Sequence, residues 1–239
     1  MLLMSCTAKQ PLSLYDLRCE DLDSPTAIAS TTPHFSWKLS ADASATKQTH
    51  YEVMVATTEK ALKNNQPDLW SSGKVASDES VMVPYAGEAL KSQTLAYWKV
   101  RVWDNHGNES AWSDVQRFGV GILSFDEWQG EYIGIKDCAV PQLRRKFDIK
   151  DKSATYMLHV NSLGYHEIYL NGEKVTEDVL SPAVSEMAKR SHSVTYDLTP
   201  ILKRGENDLM IWLGRGWYRD ALYPDVVVNK GPLVRVELS

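Results

Sequence analysis

Apolar and polar positions alternate with a period of two along most of this chain, the pattern of half-buried strands. In residues 96–104, Trp98, Val100 and Val102 fall on one face and Lys99, Arg101 and Trp103 on the other, which predicts a strand. Asp104 to Asn108 then brings together residues that tolerate left-handed backbone and bond their own neighbours, so the chain is expected to reverse there, with Trp112-Ser113 just beyond. Upstream, residues 34–40 and 50–57 predict two more strands around a polar loop, and residues 69–77 a short one turning at Ser72-Gly73. Residues 60–68 hold an Asn pair and Pro67 and predict a helical turn. Residues 115–121 close this first series. Short strands at such spacing, without a long helical face, indicate an all-β sandwich, and the lack of an evident cysteine pair favours the fibronectin type III kind over the immunoglobulin kind.

A second series begins after residues 122–134, whose Trp128 is expected to plug the space between domains. Residues 142–149 predict a strand, and residues 154–175 an alternating strand ending in Asn171-Gly172, the dipeptide that supplies both positive φ angles of a type I′ hairpin. Residues 193–202 and 207–214 continue the pattern around a turn at 203–207. Residues 231–239 read as a strand running into the last residue, with an edge and an apolar face left over, so the second domain is expected to be incomplete.

With 239 residues the chain can bury one large core or two of about a hundred residues each. A net charge of -5, without a sustained basic stripe, argues against nucleic acid or an anionic membrane as a partner, and no transmembrane span is expected. Cys6, Cys19 and Cys138 make neither a disulfide framework nor a metal-ligand spacing. The opening MLLMSC resembles the end of a bacterial lipoprotein signal, with Leu3-Met4-Ser5-Cys6 as lipobox and Cys6 as the lipidated residue. That resemblance implies an exported, lipid-anchored protein of the periplasm or outer membrane, whose natural start lies upstream of Met1; the alternative is a frayed terminus with an incidental cysteine.

The motifs LWSSGKV, YWKVRVWDNHGNESAWS and Trp128 resemble the N-terminal fibronectin-like domain of bacterial α-L-rhamnosidases. GYHEIYLNGEKV, VLSP, TYDLTPILKRGENDL and LGRGWY resemble the jelly-roll-like domain that follows it. The resemblance covers nearly the whole chain in the family's order. It implies an all-β chain: a signal remnant at 1–10, a fibronectin type III or immunoglobulin-like sandwich at 11–121, a linker at 122–141, and a partial jelly-roll-like (galactose-binding-like) sandwich at 142–239. The family's inverting hydrolysis of terminal α-L-rhamnose needs a general acid and a general base held across one cavity, which it builds in an (α/α)₆ barrel after these β domains. The chain is therefore expected to be an accessory region, inactive alone, whose partners are that catalytic domain and a rhamnose-containing glycan or glycoside. Two other readings stay open, a free-standing carbohydrate-binding module and a fibronectin-like spacer.

Glu177 and Asp178, with the carbonyl of Pro232, match the place where some relatives hold rhamnose through calcium. Where those relatives show a Gly-Trp-Thr-Asp-Tyr-like run, this chain has Ala183 to Met187, and acidic loop residues ordinarily face water. No motif requires another cofactor. Trp217, Tyr218, Arg219 and Tyr223 could form a sugar-binding rim or an interdomain contact. Trp98 reads as core, and Trp103 and Trp112 as packing around Arg101. His159, His166 and His192 lack ligand spacing, and Asp220 with Asp225, or Glu167 with Glu173, read as surface charges rather than a glycosidase pair.

Overall fold

The alternating runs fold as strands in two compact units, residues 1–120 and 121–239. The computed structural model describes residues 12–219, 222 and 231–239. The first unit contains β1 (Leu12–Cys19), β2 (His34–Ala41), β3 (Gln48–Ala56), the short helix α1 (Glu59–Lys63), β4 (Trp70–Ser71), β5 (Val75–Ala76), β6 (Val83–Pro84), β7 (Leu95–Asp104) and β8 (Gln116–Gly119). One sheet has the order β1-β2-β6 and the other β4-β3-β7-β8, with β5 also paired to β3. Their core joins Phe35 and Trp37 of β2 to Val53, Val55, Trp98, Val100, Val102 and Phe118. Phe35 stacks on Trp98 at 4.5 Å between centroids and meets Phe118 edge-on at 5.8 Å. Such pairs add about 1 kcal/mol to what burial alone supplies.

Lys99 breaks the alternation of β7, because it is buried although its neighbours Trp98 and Val100 take the core face. Its Nζ donates to the Leu62 carbonyl at 2.6 Å and to Asn65 Oδ1 at 2.5 Å. A strand lysine thus adds a second donor to the Leu62 carbonyl in the last turn of α1, which also accepts from the Asn65 N–H at 2.9 Å.

The second unit contains β9 (Gln142–Ile149), β10 (Met157–Leu163), β11 (Tyr165–Leu170), β12 (Glu173–Lys174), β13 (Ser193–Asp197), β14 (Gly205–Gly214) and β15 (Leu233–Leu238). One sheet has the order β13-β10-β15 and the other β12-β11-β14-β9. Leu158, Val160 and Val234 from the first and Ile168, Leu170, Leu209 and Ile211 from the second form the core. The run expected as one strand across 154–170 is two strands in two different sheets. Gly164, at φ 110°, makes the break, and a Cβ there would stand 2.4 Å from the Gly214 carbonyl oxygen. Side-chain alternation continues across such a corner, so periodicity alone cannot reveal it.

Residues 122–141 pack on this second unit. Ser124 caps a 3₁₀ turn at Phe125–Glu127, and Ile133 exchanges two backbone hydrogen bonds of 2.8 and 2.9 Å with Val234. The last strand, expected to lie bare at its edge, therefore has a neighbour on each side at Val234. Trp128, expected as an interdomain plug, lies over Arg235 of its own unit, with centroid distances of 4.3, 4.4 and 4.9 Å from the guanidinium to Phe125, Trp128 and Tyr132. Between β9 and β15 the two sheets part around adjoining cavities of about 260 and 250 Å³, lined by Leu143, Phe147, Leu209, Val236 and Leu238.

Candidate functional site

In the first unit the half-buried Trp103 and Trp112 are stacked on the protein's own cations. Lys74 lies over Trp103 at 4.1 Å, Arg101 lies between Trp103 and Trp112 at 4.9 and 4.7 Å, and Lys99 lies over Trp112 at 4.3 Å. Arg101 also bridges Glu52 at 2.7 Å and Glu109 at 2.5 Å. Guanidinium and ammonium groups stacked on indoles satisfy charge and ring together, so this ladder is scaffold, as the strand spacing suggested.

The residues expected to bind sugar separate. Trp217 is 53% exposed, and Arg219 is exposed with its Nε donating to the Gly216 carbonyl at 2.8 Å. Tyr218 is fully buried, which corrects its assignment to a binding rim. The reason is the tight turn that Tyr218 N–H closes on the Arg215 carbonyl at 2.9 Å, which sends consecutive side chains in different directions. Tyr223 and Cys6 lie outside the described residues, as do Asp220 and Asp225.

Glu177 and Asp178 are exposed neighbours on the loop after β12, and Pro232 is buried, with its Cβ within 3.0 Å of where a Cβ on Gly164 would stand. Among the described residues no three His, Cys, Asp or Glu side chains gather where they could hold a metal.

Ser162, His166 and Tyr196 form a buried chain: Ser162 Oγ lies 2.7 Å from His166 Nδ1, and His166 Nε2 lies 2.8 Å from the Tyr196 hydroxyl. Ser162 Oγ also reaches the Gly164 carbonyl at 3.2 Å, and Ser162 and His166 are both buried. Burial pulls His166 down to about 4, keeping it neutral, and the chain fastens the corner at Gly164.

The outer side of the β12-β11-β14-β9 sheet is different. Tyr165, Glu167 and Tyr169 alternate with the buried His166, Ile168 and Leu170 along β11, and Trp212 of β14 stands opposite Glu167. Trp212 is 41% exposed, and its ring lies 5.1 Å from that of Tyr169 at an angle of 37°. Glu167 accepts from the Tyr169 hydroxyl at 2.7 Å and from Lys174 Nζ at 3.0 Å. Those two donors, Tyr169 first, hold its carboxyl below the ordinary carboxylate range. Beside them runs a groove of about 220 Å³ lined by Tyr165, Glu167, Leu180, Trp212 and Gly214. Gly216 rests on the Tyr165 ring, where a Cβ would come within 2.7 Å of the ring carbons. None of these aromatic residues was among the expected binders. The signal was present as Tyr-x-Glu-x-Tyr, but only the corner at Gly164 fixes which side of the sheet that alternation faces.

Two tandem β-sandwich units, the second bearing an open aromatic face, define the chain as a predominantly β domain pair. Residues 14–124 match the family model of the Rha78A-like N-terminal immunoglobulin domain, and residues 151–230 that of the alpha-L-rhamnosidase N-terminal domain. By sequence and fold, the chain belongs with the N-terminal domains of the α-L-rhamnosidase family. An alpha-L-rhamnosidase of Formosa agariphila is 36% identical over 220 residues, covering 81% of this chain and 23% of the relative. One from Alteromonas sp. is 33% identical over 213 residues, covering 83% of this chain and again 23% of the relative. Among solved structures, an alpha-L-rhamnosidase from Dictyoglumus thermophilum superposes with a TM-score of 0.83 at 29% identity, over 95% of this chain and 27% of that one. The Aspergillus terreus enzyme shares the fold, with a TM-score of 0.74 at 24% identity, over 95% of this chain and 27% of that one. The chain thus spans about a quarter of the length of these relatives.

Proposed function

We propose that this chain is the N-terminal accessory region of an α-L-rhamnosidase, and that the protein to which it contributes removes terminal α-L-rhamnose from glycans or glycosides. The observation that carries this reading is the pair of N-terminal domain matches, in order, along one chain whose relatives are alpha-L-rhamnosidases.

In this reading the two sandwiches buttress a catalytic domain lying outside these residues, and exposed Trp217 and Arg219 are available to a glycan or to that domain. The Leu3-Met4-Ser5-Cys6 run supports export and lipid attachment at Cys6. Product analysis tests the activity: the protein carrying this region together with its catalytic domain should release free L-rhamnose from a rhamnosylated glycoside. Release of a different sugar, or of none, would reject the reading.

A further inference from the structure

We propose that the outer face of the β12-β11-β14-β9 sheet is a glycan-binding surface, on which Trp212 and Tyr165 take the apolar face of a neutral pyranose and Glu167 accepts its hydroxyl protons. The proposal rests on the accessory-region reading for the class of ligand and on the face's own geometry for the site.

Three features of the face match a pyranose. A pyranose presents a patch of C–H groups on one side and a rim of hydroxyls, so it is recognised by an aromatic surface flanked by fixed acceptors and donors. Trp212 supplies the surface: it is 41% exposed on a regular strand and lines the groove. Tyr169 contacts it at 5.1 Å and limits its rotation, so little side-chain freedom remains to be lost on binding. By contrast, Trp103 and Trp112 of the first unit are stacked on Lys74, Lys99 and Arg101, and Phe125, Trp128 and Tyr132 are spent on Arg235.

The polar rim is also fixed in place. Tyr169 and Lys174 hold Glu167 as an anion. A carboxylate has about four lone-pair sites, so two held by the protein leave capacity for a vicinal diol. Leu180 and Gly214 complete the groove of about 220 Å³ beside Tyr165. Gly214 adds no side chain above the strand, and Gly216 lies flat against Tyr165, leaving that ring edge accessible. The ligand is read as neutral because Glu167, an acceptor held as an anion, would repel an acidic sugar at the groove.

The test is titration calorimetry of this chain with methyl α-L-rhamnopyranoside, methyl β-D-glucopyranoside and methyl β-D-galactopyranoside, each with and without EDTA, followed by tryptophan fluorescence. Binding of at least one glycoside is expected, unaffected by EDTA. Trp212→Ala should weaken it by roughly tenfold or more, and Glu167→Gln by a smaller factor. Thermal unfolding of each variant separates lost binding from lost folding, and Trp212→Phe should restore part of the affinity if stacking is the cause. Binding that survives both Trp212→Ala and Glu167→Gln, or no binding of any glycoside, overturns the surface assignment. Either result leaves the accessory-region reading intact, since that reading is tested separately, by whether rhamnose is released by the protein carrying the catalytic domain and not by this chain alone.

Discussion

Arg235 shows how one side chain can fasten a peripheral segment. It is 5% exposed, its Nε has no hydrogen-bond partner, and its compensation comes from the rings of Phe125, Trp128 and Tyr132. Leaving a buried cation without such contacts is expensive. Arg235→Ala is expected to destabilise the second unit by about 2 kcal/mol, read as a lower urea midpoint, and Arg235→Lys should recover only part of that because an ammonium cannot stack as a plane. An unchanged midpoint in Arg235→Ala would show that the rings hold the segment without it. His166 makes a second prediction at this scale. Its folded pKa is held at about 4, below its ordinary 6.5, so from pH 6.5 downward the unfolded chain takes a proton that the folded chain refuses. Stability is therefore full above that range and lost as pH falls towards 4, by up to about 3 kcal/mol, and burial of His159 adds a loss of the same sign. Urea midpoints at pH 7 and pH 4.5 should differ accordingly, and His166→Asn should flatten the difference.

Elements were legible where alternation and turn chemistry coincided. The strand ending at Asp104, the helical turn before Pro67 and the Asn171-Gly172 hairpin were each expected from sequence. The hairpin has Asn171 at φ 53° and Gly172 at φ 89°, and a Cβ on Gly172 would meet nothing within 4 Å. Gly172→Ala should therefore cost roughly 1 kcal/mol from backbone strain alone, measurable by chemical denaturation, and Gly172→Asn should cost less because asparagine tolerates this region. The corner at Gly164 and the pairing of Ile133 with Val234 were not legible. Both depend on what lies across space, on the Gly214 carbonyl in one case and a neighbouring strand edge in the other, and neither leaves a periodic trace. The same limit hid the candidate face. Trp217 and Tyr218 are adjacent in sequence, but one is exposed and the other buried, while Trp212 and Tyr169 are far apart in sequence and meet across paired strands.

At the scale of the whole molecule, the two units use their aromatic residues in opposite ways. The first stacks Trp103 and Trp112 on its own cations, and the second keeps an aromatic and carboxylate face open. This division fits a scaffold domain followed by a domain that meets ligand or neighbour, in a family where the present residues cover about a quarter of the relatives' length. No helix among the described residues is long and apolar enough to cross a membrane, which leaves an anchor at Cys6 to be tested by mass spectrometry of the exported protein. The most direct test of the central claim is a parallel assay of an aryl α-L-rhamnoside with this chain alone and with the protein in which it is joined to its catalytic domain. The account predicts hydrolysis only by the joined protein. Turnover by this chain alone, abolished by a substitution within it, would contradict the claim that these residues are an accessory region.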